Sequence, residues 1–203
     1  MVQTMRSKSL SLVLAAAASF ALACDASAAA TVGEAAPEFS LTDLQGEEHS
    51  LADLSGKVVI LEWINPKCPF SERHAKEKTM IALADDHPEI VWLAVNSTNP
   101  DSGDYLEPAE HQAYNRKHGI DYPVLYDTSG DVGRAYDAKT TPHMYIIDDE
   151  GTLLYNGAID DDPGGRQKPA QRTNYVDGGL ADHAGGAPVD PATTKPYGCT
   201  VKY

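Results

Sequence analysis

The run Val58-Val59-Ile60-Leu61-Glu62-Trp63-Ile64 constrains this chain more than any other segment. A nearly continuous apolar stretch of this length fits a strand covered on both faces, which places it centrally in a sheet flanked by helices. It stops at Asn65-Pro66-Lys67-Cys68-Pro69, and residues 70–86 then read as a helix. Proline is favoured at the first helical position, so Cys68 falls at or beside the N-cap. Free backbone N–H groups and the positive end of the helix dipole stabilise a thiolate there. Lys67 adds a neighbouring positive charge, and both effects lower the thiol pKa from its free value of about 8.5. The alternative is a buried structural cysteine; the strand-to-helix junction favours a reactive one.

The rest of the chain supplies the sheet's neighbours. Phe39 and Leu41, with His49 and Leu51 across Asp43-Leu44-Gln45-Gly46, read as a small hairpin. A second buried strand is expected over 90–95, a helix over 109–118, a short strand over 123–126 and a brief helix over 131–136. Met144-to-Ile147 and Leu153-to-Tyr155 flank Asp148-Asp149-Glu150-Gly151 as a strand–turn–strand. A weak helix follows over 174–183, and 185–203 show no clear periodicity. Strands alternating with helices give a parallel core, and the last hairpin adds antiparallel edge strands. Trp63 and Trp92 are expected to pack the sheet, and Asp160-Asp161-Asp162 reads as a solvated turn.

Apolar residues at 42% and charged residues at 23% argue for a folded chain. Sixteen Lys and Arg against 30 Asp and Glu give a net charge of −14, which disfavours nucleic acid and anionic membrane surfaces as partners. The first 28 residues read as a secretory signal peptide: Arg6 and Lys8, an apolar stretch over 10–23, then Ala26-Ser27-Ala28, with cleavage after Ala28 or Ala30. The apolar stretch is shorter than the ~20 residues that span a bilayer, so no membrane insertion of the mature chain is expected. Lipidation at Cys24 is the less favoured alternative, because Ala21 stands where a lipobox carries Leu. An exported, bacterial periplasmic protein is the expectation. Removing the signal leaves two cysteines, Cys68 and Cys199, in a compartment where a disulfide can persist.

Three segments carry a resemblance: Lys57-Val58-Val59-Ile60-Leu61-Glu62-Trp63, the Cys68-Pro69-Phe70-Ser71 turn, and Thr141-Pro142-His143-Met144-Tyr145-Ile146-Ile147-Asp148. They resemble the thioredoxin superfamily. The opening Val32-Gly33-Glu34-Ala35-Ala36-Pro37-Glu38-Phe39 and the closing Lys195-Pro196-Tyr197-Gly198-Cys199 are similar to its redoxin branch, the alkyl hydroperoxide reductase/thiol-specific antioxidant group, in the set called peroxiredoxin-like. The resemblance implies an α/β thioredoxin-like fold, a mixed central sheet flanked by helices, with an N-terminal β-hairpin and a C-terminal extension. The divisions are a signal peptide over 1–28, a redoxin domain over 31–165, and a C-terminal helix and tail over 166–203. Cys68 takes the place of the first cysteine of the thioredoxin Cys-x-x-Cys motif, and Ser71 stands at the second. Peroxiredoxins carry their peroxidatic cysteine at that second position, with Thr or Ser three residues earlier, an arrangement this chain does not reproduce.

The resemblance also implies roles. Glu62, six residues before Cys68, stands where thioredoxins carry a buried acid; desolvation raises such a carboxyl's pKa and suits it to exchange protons with a thiol. Capping a backbone group is the other reading. Thr141-Pro142 matches the cis-proline loop, whose backbone pairs with substrate beside the thiol; a trans proline entering an edge strand is the plain alternative. Cys199 is the natural resolving partner of Cys68, either redox-active or as a static structural disulfide, and Gly198 allows close backbone approach. His74 and His143 with Cys68 are too sparse a set for copper. The expected function is an exported thiol–disulfide oxidoreductase or antioxidant without a cofactor. Its partners are a thiol or disulfide protein, or a small peroxide, and an external reductant. The alternatives are a non-enzymatic redoxin-fold carrier of a metal or partner protein, and a domain with a purely structural disulfide.

Overall fold

In the computed structural model, residues 29–203 are described. The signal-peptide and Cys24 readings lie outside them. The N-terminal hairpin is β1 (Ser40–Asp43) and β2 (Glu48–Ser50), and the central strand is β3 (Val59–Trp63). Next come α1 (Pro69–Glu77), α2 (Thr79–Asp86), β4 (Val91–Asn96), α3 (Pro108–His118), β5 (Val124–Tyr126) and α4 (Asp131–Ala135). The chain closes with β6 (Thr140–Thr141), β7 (His143–Ile147), β8 (Leu153–Gly157), α5 (Tyr175–Ala184) and β9 (Cys199–Thr200).

Seven strands form one mixed sheet in the order β2-β1-β5-β4-β3-β7-β8. β3, β4 and β5 are parallel, while β7 and β8 are antiparallel additions on one side and the β1–β2 hairpin on the other. This is the thioredoxin-like architecture expected from the sequence. β3 is buried throughout, and its alternating residues feed two cores. Val59, Leu61 and Trp63 pack with Phe39, Tyr136 and Tyr145 on one face. Ile60 packs with Met80, Trp92, Met144 and Leu180 on the other. Glu62 lies on that second face, under α1 and α2. Both tryptophans are buried, as expected.

The single helix expected over 70–86 is two. Lys78 adopts a left-handed conformation (φ 56°) and its N–H turns back to Ala75. The break has a packing reason: α1 buries polar Ser71 and His74, whereas α2 must turn Met80, Ile81 and Leu83 inward. Asp160-Asp161-Asp162 is not a solvated turn either. Asp160 and Asp162 are buried, because Arg172 lies 3.6 Å from the first and 3.2 Å from the second, and Asp162 also accepts the N–H groups of Arg166 and Gln167. Among the described residues no helix is long and apolar enough to cross a membrane.

Candidate active site

Cys68 is the N-cap of α1, with Pro69 at the first helical position. Its N–H donates to the Asn65 carbonyl at 2.9 Å, and its carbonyl accepts from Glu72. The Asn65 side chain ties the turn down: Oδ1 accepts the Lys67 N–H at 2.7 Å, and Nδ2 donates to Thr98 Oγ1 at 2.8 Å. Cys68 is 2% exposed, and its thiol donates to the Thr141 carbonyl at 2.9 Å. Burial pushes the Cys68 thiol up, but the Cys199 thiol, the Thr141 hydroxyl and the Ser71 N–H together hold it below the ordinary thiol value. Lys67 is not among those groups. Its ammonium is engaged by the carbonyls of Gly103 (2.9 Å) and Tyr105 (3.2 Å), so the charge assigned to it from sequence points elsewhere.

The Thr141–Pro142 bond is cis. Thr141 stands directly opposite Cys199 in an antiparallel pair, β6 with β9, and Thr140 stands opposite Thr200. Gly198 makes that approach possible: at φ +134°, a Cβ on it would lie 2.1 Å from the Thr141 carbonyl oxygen. The C-terminal tail therefore occupies the backbone edge that the resemblance assigns to a substrate strand. Both cysteines are free thiols. Burial raises the Cys199 thiol to about 12, reinforced by its hydrogen bond to Cys68 and by that sulfur's negative charge. A cavity of about 20 Å³ lies beside the two thiols, lined also by Asn65, Thr141, Lys67 and Lys202.

Glu62 is buried, and Tyr122 donates its hydroxyl to Oε2 at 3.1 Å. Burial raises the carboxyl to about 7, with the tyrosine acting in the other direction. A second cavity, of about 10 Å³, is lined by Glu62, Ser71 and His74, so it connects the carboxyl to the residue whose N–H faces the Cys68 sulfur. Four sequence-assigned residues, Cys68, Thr141, Pro142 and Cys199, thus meet at one point, and Glu62 lies behind them. His143 is directed away, its Nε2 on Asn156 (2.7 Å) and its Nδ1 3.0 Å from the Tyr145 hydroxyl. His74 instead meets Tyr197, which sequence reading overlooked although it stands two residues before Cys199.

A cysteine capping the first helix after the central strand, beside a cis-proline loop, defines a thioredoxin-like thiol protein. The chain belongs to the AhpC/TSA family, which it matches over residues 32–156. It is 30% identical over 125 residues to Thiol-disulfide oxidoreductase ResA of Geobacillus kaustophilus, covering 62% of this chain and 68% of that protein. It is 32% identical to Thioredoxin-like protein YneN of Bacillus subtilis, covering 60% and 68% respectively. Among solved structures it is similar to an uncharacterized conserved protein of Geobacillus kaustophilus, with 27% identity and a TM-score of 0.76 over 85% of this chain and 92% of that one. A hypothetical protein of Sinorhizobium meliloti gives 25% identity and a TM-score of 0.75 over 87% and 96%. The similarity to those two structures reaches past the family match into the C-terminal segment. The peroxiredoxin branch specifically is not what these relatives are named for.

Proposed function

We propose that this chain is an exported thiol–disulfide oxidoreductase in which Cys68 is the nucleophile and Cys199 the resolving thiol. The observation that carries the reading is the placement of Cys199 opposite Thr141, against the same loop whose carbonyl holds the Cys68 thiol. The Cys68 thiolate attacks a disulfide R–S–S–R′, forming Cys68–S–S–R and releasing R′S⁻. Cys199 then loses its proton and attacks the Cys68 sulfur, releasing RS⁻ and leaving the Cys68–Cys199 disulfide. An external dithiol restores both thiols. The order is built into the electrostatics. Besides burial, the hydrogen bond to Cys68 and its negative charge hold the Cys199 thiol protonated, and both vanish once Cys68 is capped.

Glu62 takes the part of proton reservoir, through the cavity it shares with Ser71. With a pKa near 7 it gives and accepts protons at neutral pH. Thr141 and Pro142 orient the sulfurs. The redoxin domain over 31–165 supplies the nucleophile, and the segment over 166–203 delivers the resolving thiol.

A second substrate class has its own support. The cavity beside the thiols has room for about one water-sized molecule. Hydrogen peroxide reaching it would be reduced by Cys68 to water, leaving a sulfenic acid that Cys199 condenses to the same disulfide with loss of water. This would make the protein an antioxidant as well.

The test is trapping with glutathione disulfide. Cys199→Ser should accumulate a glutathione adduct on Cys68 that wild type resolves. An adduct that persists equally in wild type contradicts the assignment of Cys199.

A further inference from the structure

Tyr197 joins the tail to α1 through groups that the redox chemistry does not use. Its hydroxyl donates to the Asp160 carboxylate, accepts from Arg73 Nη2 at 3.0 Å and lies 3.0 Å from His74 Nε2. Its ring packs against Phe70 with centroids 6.0 Å apart. The groups that receive the hydroxyl are themselves fixed. Arg73 Nη1 donates to the Asp162 carbonyl at 2.9 Å, His74 Nδ1 lies 3.1 Å from Thr79, and Arg172 pairs with Asp160, Asp162 and Glu77. Phe70, Arg73 and His74 all belong to α1, whose N-cap is Cys68. Beyond Cys199 the tail is held differently. The Val201 N–H donates to Lys139, the Lys202 carbonyl accepts from Asn99, and the Tyr203 hydroxyl donates to Ala138.

We infer that Tyr197 is a positioning residue: its hydroxyl anchors the upstream side of the tail to the Cys68 helix and so sets the effective concentration of the Cys199 thiol at the Cys68 sulfur. This rests on the proposed redox pair and adds what keeps its partners together. A thiol at the end of an untethered tail samples many positions, and each restraint on the dithiol form removes entropy that closing the disulfide would otherwise cost. The anchor bears on the dithiol most, because in the oxidised protein the S–S bond itself retains the tail.

The experiment is the equilibrium of wild type, Tyr197→Phe and Tyr136→Phe in glutathione redox buffers, read by mass spectrometry of alkylated protein. Tyr197→Phe keeps the ring against Phe70 and removes only the hydroxyl. Tyr136→Phe removes a comparable buried hydroxyl, bonded to Pro37 at 2.7 Å, on the other face of the sheet. The inference predicts an oxidation equilibrium constant about tenfold lower in Tyr197→Phe, a potential roughly 30 mV less negative, with Tyr136→Phe unchanged. Equal potentials in wild type and Tyr197→Phe overturn the inference while leaving the redox pair intact. A similar shift in Tyr136→Phe also overturns it, since general destabilisation would then account for the effect. Absence of any Cys68–Cys199 disulfide in wild type removes the underlying reading instead.

Discussion

Thr141 and Cys199 face each other across a two-residue antiparallel ladder, although 58 positions separate them in sequence. The carbonyl of Thr141 also receives the Cys68 thiol, so one residue brings both sulfurs to a common point. The tail thus lies along the loop as an extended peptide would, and its cysteine arrives beside Cys68.

Gly198 is the weakest link in that arrangement. Gly198→Ala places a Cβ 2.1 Å from a backbone oxygen, at a φ that residues with side chains rarely adopt. We expect β9 to leave β6 and formation of the internal disulfide to slow by roughly tenfold or more, with about 1–3 kcal/mol lost in urea unfolding. Stopped oxidation time courses, quenched by alkylation, measure this. An alanine protein that oxidises at the wild-type rate would show that the tail's close approach is unnecessary.

The thiols should titrate in a fixed order. A small alkylating agent at neutral pH is expected to label Cys68 before Cys199, despite the deeper burial of Cys68. Cys199→Ala removes a donor to the Cys68 sulfur and should raise its pKa. Ultraviolet thiolate absorbance followed against pH reads both effects, and an unchanged Cys68 titration in that variant would contradict the donor role.

Glu62 predicts a pH dependence of stability whose sign is set by its raised pKa. The unfolded carboxyl ionises in the ordinary range, whereas the folded one holds its proton to about 7. Between those values the folded state binds more protons, so stability falls as pH rises and levels off above about 7. The loss is on the order of 3 kcal/mol. Glu62→Gln should abolish that slope, making the variant more stable than wild type in mild alkali, and should flatten the pH–rate profile of disulfide exchange near neutrality. Parallel pH slopes in the two proteins, from urea unfolding, would argue that Glu62 is already ionised when folded.

Local patterns made much of this legible in the sequence. The apolar run of β3, the proline after Cys68 and the residues flanking Pro142 each announce their structure within a few positions, and Gly198 marks a close approach. The ladder between β6 and β9 does not, because two residues per strand carry no periodicity. The anchor of Tyr197 was hidden for another reason: its partners come from positions 73, 74 and 160, and no local spacing relates them. Asp160 and Asp162 read as solvated for want of a visible partner, which proved to be Arg172. Lys67 illustrates the converse, since adjacency in sequence placed its charge near Cys68 while its side chain reaches the loop at Gly103 and Tyr105.

The most direct measurement is mass spectrometry of peptides from protein treated with an equivalent of glutathione disulfide, then alkylated under acid and digested. The account predicts a cross-linked pair containing Cys68 and Cys199, lost again on returning the protein to excess reduced glutathione. Recovery of both cysteines as separately alkylated peptides after oxidation, or a cross-link that reduced glutathione leaves untouched, would contradict it.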